Sequence, residues 1–111
     1  MLTESGEIIR TWKTEFPDYD GEFHRPKGWE DNSWHNDVCP HISRYVEHPD
    51  LEIEVNVWQD YVNPDKREYG GEYERYIFEV RVHNHDYDYT VMFYRTDDWS
   101  EIERLMGVVG I

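Results

Sequence analysis

The chain has 111 residues, 25 acidic side chains against 11 basic ones, and a formal net charge of -14. A domain of this length buries about 65% of its unfolded surface, enough for one modest core. Two domains, and any barrel or dinucleotide fold of roughly 200 residues, are therefore excluded. Direct binding to a phosphate backbone is excluded too, since it needs clustered Lys and Arg.

Aromatic residues make up 16% of the chain, with five Trp and nine Tyr, too many for a disordered acidic tail. Ala is absent, and the single Cys39 cannot form an intrachain disulfide. No apolar run reaches the roughly 18 residues of a membrane span, and no signal-peptide pattern opens the chain. The expected location is the cytoplasm, that of the host cell if the chain is viral.

Thr3 and Ser5 are N-cap candidates, and Ile8, Ile9, Trp12 and Phe16 recur at helical spacing. They predict a helix over residues 4–16, stopped by Pro17. Residues 17–36 read as irregular, punctuated by Pro17, Gly21, Pro26 and Gly28, anchored by Trp29 and Trp34, with room for a short strand around 22–25. Pro40 suits a first helical turn, and Val38, Ile42, Tyr45 and Val46 form a stripe that predicts a second helix over 38–48. Period-two alternation then predicts strands over 51–58, 74–83 and 87–95. Asp98 and Glu101 form a start resembling a capping box, Trp99, Ile102, Leu105 and Met106 a buried stripe, and Gly107 a stop, giving a helix over 98–106.

The expected fold class is α+β, a single small domain over 1–111. A three-stranded antiparallel meander would be packed by two to three helices in the order α-α-β-β-β-α. From the second helix on, that order is similar to double-stranded-RNA-binding domains. The likeness is of element order only. Such domains place a basic cluster at the last helix, where this chain has Asp97, Asp98, Glu101 and Glu103, so RNA binding by that route is rejected.

His35, Cys39 and His41 are the best metal-ligand candidates, since imidazole nitrogen and thiolate sulfur suit zinc. They lack the second ligand pair of a finger-type site, which His83 and His85 could supply only from a hairpin tip. The plainer reading is surface or half-buried imidazoles and a small buried thiol. A Cys39 nucleophile activated by His35 or His41 has no recognisable elbow around it. Asp18-Tyr19-Asp20-Gly21-Glu22 has a trace of a calcium loop without its twelve-position pattern. No cofactor is expected.

The acidic residues are the departure from average. Glu15, Asp18, Asp20 and Glu22 form one run, Glu47, Asp50, Glu52 and Glu54 a second, and Asp86, Asp88, Asp97, Asp98, Glu101 and Glu103 a third. Counted by quarter, the charge is spread over most of the chain. Across a domain of roughly 34 Å the net charge approaches about two-thirds of the linear density of duplex DNA. Such a surface steers toward a basic groove, with Tyr and Trp as anchors. The sequence thus predicts a non-enzymatic acidic inhibitor, with these fourteen carboxylates as partner-binding residues. Its partner would be a basic protein, a nuclease or CRISPR effector subunit, whose nucleic-acid channel it blocks. Anti-CRISPR, anti-restriction and nuclease-immunity proteins are similar in size and composition, with no shared motif. Two alternatives stand beside this reading: a small metal-binding or enzymatic domain built on His35, Cys39 and His41, and a halophilic domain of unrelated function.

Overall fold

The computed structural model describes residues 10–68, 71–84 and 86–111. Five strands, β1 (Glu30–Asp31), β2 (His41–Val46), β3 (Glu52–Gln59), β4 (Tyr76–His83) and β5 (Asp88–Thr96), form one antiparallel sheet in sequential order. A one-turn helix α1 (Trp12–Glu15) precedes them and α2 (Trp99–Val108) follows. The fold remains of α+β type, but the three-stranded meander expected from the sequence is a five-stranded one.

The expected helix over 38–48 is the largest correction. Residues 41–46 are strand β2, paired with β3 from His41 opposite Trp58 to Val46 opposite Ile53. In a six-residue segment with three apolar residues, helical and strand periodicity are hard to separate. Ile42 and Val46 are β-branched and Tyr45 aromatic, which fits a pleated surface better than a helix. Pro40 sits one residue before the strand, where only its carbonyl is needed: it accepts the Gln59 amide at 2.9 Å. With that helix gone, the likeness in element order to double-stranded-RNA-binding domains goes too.

The other elements shift less. Strands expected over 51–58, 74–83 and 87–95 occupy 52–59, 76–83 and 88–96. The short strand expected near 22–25 is instead β1, and it pairs with β2. Of the helix expected over 4–16, residues 12–15 are helical, while Thr3, Ser5, Ile8 and Ile9 lie outside the described residues, as do Gly70 and His85.

One sheet face carries Ile42, Val55, Val57, Tyr76, Phe78 and Val80, all buried. Ile102, Leu105 and Met106 of α2 pack on it, as do Phe23 and Trp29 of the irregular segment 16–29. That segment is pinned to the sheet by a buried amide. Gln59 accepts the His24 amide at 2.8 Å and donates to the His24 carbonyl at 2.7 Å, so a side chain does the work of a strand partner. Arg75 adds a second tie, donating to the Tyr19 hydroxyl at 3.0 Å and the Glu22 carbonyl at 3.3 Å. Gly21 lies so close that a Cβ there would run into the Arg75 guanidinium.

Helix α2 starts on Asp98, whose carboxylate accepts the Ser100 amide at 3.0 Å. It runs past Gly107, the expected stop, to Val108. Gly110, at φ +79°, makes the left-handed turn instead. The Ile111 amide donates to the Met106 carbonyl at 2.9 Å and the Gly110 amide to the Gly107 carbonyl at 3.2 Å, the paired bonds of a Schellman end. Ile111 thereby folds back onto the core.

Candidate partner-binding surface

The strand register fixes what lies on the sheet's second face, away from α2. Residues opposite one another share a face, so His41, Ser43 and Tyr45 of β2 lie beside Trp58, Asn56 and Glu54 of β3. These in turn neighbour Ile77, Glu79 and Arg81 of β4. An extra residue bulges β5 where its pairing slips between Val80 and Arg81, which keeps Asp88, Thr90, Phe93 and Arg95 on this side.

The two ends of this face differ. At one end the β2–β3 turn meets the β4–β5 turn, because Glu52 pairs with His83 and His83 with Asp88. Glu47, Asp50, Glu52 and Glu54 are thus brought together with Asp86 and Asp88. Two runs far apart in sequence make one acidic end. Some of these groups are organised. Asp88 accepts from Arg81 at 3.0 Å and lies 3.1 Å from His83 Nδ1. Glu54 accepts from Asn56 at 2.6 Å and Tyr45 at 3.3 Å, and its charge raises the Tyr45 phenol above its ordinary pKa. Glu47, Asp50, Glu52 and Asp86 are exposed, and among the described residues their carboxylates make no hydrogen bond or ion pair.

The remaining nominated acids lie elsewhere, and several have structural work. Asp20 accepts the Val62 and Asn63 amides, each at 2.8 Å. Partial burial works against its ionisation, but those amides outweigh it and hold the carboxyl below its usual range. Asp18 accepts the Tyr61 hydroxyl at 2.8 Å, so the residues with the calcium-loop trace form a clamp onto the 60–63 loop. Asp97 accepts the Arg75 amide at 2.8 Å, Asp98 caps α2, and Glu101 accepts the Tyr94 hydroxyl. Glu15 accepts from His35 at 3.0 Å, which lowers its pKa. Glu22 and Glu103 are exposed.

The His/Cys constellation does not converge. His35 points to Glu15. Cys39 is 2% exposed, and burial pushes its thiol well above its ordinary pKa, the reverse of an activated nucleophile. His41 stacks on Trp58 at 4.0 Å between ring centroids, and desolvation lowers its pKa. Among the described residues no group of three or more His, Cys, Asp or Glu is placed to hold a metal ion.

At the opposite end of the face lies a cavity of about 570 Å³. Trp58, Ile77 and Phe93 line it from the strands, Val38 and Cys39 from the segment before β2, and Tyr73 and Glu74 from the segment before β4. Sequence reasoning missed it. The alternation of Ile77, Glu79, Arg81 and His83 marks a second strand face, but only the pairing register shows which side chains meet across strands.

Comparison with protein-family models, curated protein sequences and solved structures finds no match for this chain. No helix among the described residues is long and apolar enough to cross a membrane.

Proposed function

We propose that this chain is a non-catalytic acidic inhibitor. Its acidic end binds the basic nucleic-acid-binding surface of a nuclease or CRISPR effector subunit in the cytoplasm and excludes DNA or RNA. The observation that carries the reading is the convergence of Glu47, Asp50, Glu52, Glu54, Asp86 and Asp88 on two adjacent turns and the strand ends beside them. The antiparallel sheet fixes Glu52, Glu54 and Asp88 on its strands and sets the turns that carry Glu47, Asp50 and Asp86 side by side, which limits the ordering entropy lost when a basic groove closes on them. Complementary charge raises the encounter rate and repels the competing nucleic acid.

The reading is tested by inhibition assays against a panel of nucleases and CRISPR effectors. Reversing three exposed acids at this end, Glu47→Lys, Asp50→Lys and Glu52→Lys together, is expected to weaken inhibition by about 10- to 100-fold, from about 0.5–1 kcal/mol per rim pair. Reversing Asp65, Glu68 and Glu72, exposed in the connection between β3 and β4, changes net charge equally at sites away from this end and is expected to cost only a few-fold. Equal losses from both sets, or no inhibition of any enzyme in the panel, would overturn the reading.

A further inference from the structure

We propose that the cavity at the other end of the same face receives an arginine side chain of the basic partner. The source of the arginine rests on the inhibitor reading; the fit rests on the cavity itself. Its volume, about 570 Å³, falls within the range of roughly 300–1,000 Å³ usual for ligand sites.

Its walls are aromatic, and its charged lining holds three carboxylates against two guanidiniums. Trp58, Tyr73 and Phe93 present rings, and Asp37, Asp60 and Glu74 present carboxylates. Two arginines also border it. Arg75 is committed to the core side, donating from Nε to the Asp60 carbonyl at 3.0 Å and from Nη2 to Tyr19 and Glu22. Arg95 lies with its guanidinium carbon 4.4 Å from the Tyr73 ring centroid and 4.7 Å from that of Phe93. These rings thus already hold a guanidinium, and the partner's arginine takes the place of the exposed Arg95 on them.

Asp60 supplies a second observation. Its carboxylate accepts the Tyr61 amide at 2.8 Å and, among the described residues, has no cation within ion-pair distance. It is half-buried, and desolvation holds its pKa above the usual range. Arg67 and Arg75 act on it from beyond ion-pair distance, and burial outweighs them. A desolvated carboxylate with no cation in contact, beside aromatic faces, favours an incoming planar cation. Arginine suits it better than lysine: its guanidinium is planar, weakly hydrated, stacks on rings and binds carboxylates through two parallel donors. Three carboxylates against two guanidiniums leave the lining one net negative charge, which disfavours the phosphate of a nucleotide.

The experiment titrates the full-length ¹⁵N-labelled chain with N-acetyl-arginine amide and, in a parallel arm, with the neutral isostere N-acetyl-citrulline amide. The readouts are the Trp58 indole N–H and the Arg95 Nε–H resonances. Saturating shifts with the arginine probe, at least about tenfold tighter than with citrulline, are expected. Asp60→Asn, which keeps the shape, should weaken that binding several-fold. Should Asp60→Asn disturb the spectrum of the folded chain, Phe93→Leu at an exposed position gives the same test. Equal binding of citrulline, shifts confined to the Glu47–Glu52 end, or tighter binding of adenosine monophosphate would each overturn the proposal. Because no partner is present, a failed titration removes the cavity claim alone. A saturating one, in a chain that inhibits nothing, removes only the inhibitor reading.

Discussion

Gln59 is the residue on which the packing of the irregular segment turns. It is fully buried, with both ends of its amide bonded to the His24 backbone. Gln59→Leu keeps the volume but leaves a buried amide and a buried carbonyl without partners, so a loss of about 2–4 kcal/mol is expected in urea unfolding. His41 sets a pH dependence. Desolvation lowers its folded pKa, while Asp37, Asp31 and Glu54 oppose that shift. It is therefore neutral in the fold and takes up a proton on unfolding below about pH 6.5. Its contribution is present above that value and is lost as pH falls toward the folded pKa. Asp60, with a raised pKa, acts in the opposite direction. The informative comparison is thus between wild type and His41→Phe at each pH. The variant's stability is expected to fall less between pH 7 and 5; parallel curves would remove His41 as a source of the slope.

At the scale of elements, α2 offers two glycines with opposite roles. Gly107 lies inside the helix, and a Cβ there meets nothing within 4 Å. Gly107→Ala is expected to stabilise by about 0.5–1 kcal/mol. Gly110, at φ +79°, closes the Schellman turn, so Gly110→Ala is expected to destabilise by about 1 kcal/mol. Thermal unfolding of the two variants should shift in opposite directions. The same helix shows what the sequence made legible. The stripe of Ile102, Leu105 and Met106 and the Asp98 cap were readable because they are local patterns. The stop was misplaced by three residues because a bond pattern, and not a residue type, selects Gly110 over Gly107. Strands β3, β4 and β5 were readable from alternation. Strand β2 was not, because Ile42, Tyr45 and Val46, with Val38 before them, fit a helix equally well until β3 offers residues 41–46 a ladder. The acidic end was legible as two runs and illegible as one surface, since only the register of Glu52 with His83 and of His83 with Asp88 joins them. The structural duties of Asp18, Asp20 and Asp97 depend on contacts more than twenty residues away in sequence, which no local pattern encodes.

For the whole molecule, charge density is lower than a compact sphere implies. The extents are 42 × 39 × 27 Å. The net charge is -14. That is about 0.3 per Å along the longest axis, about half the density of duplex DNA. Self-repulsion at this charge opposes folding and is screened by salt. Stability is expected to rise modestly between 0.05 and 0.5 M NaCl, with the chain already folded at the lower value. A chain that folds only in molar salt would favour the halophilic reading instead. The central claim is that the acidic end occupies the surface nucleic acid uses. It is tested most directly by the steady-state kinetics of an inhibited nuclease over a range of DNA concentrations. Competition is expected: the chain raises the apparent KM for DNA, leaves kcat unchanged, and is displaced at saturating DNA. Inhibition that lowers kcat and persists undiminished in excess DNA would contradict it.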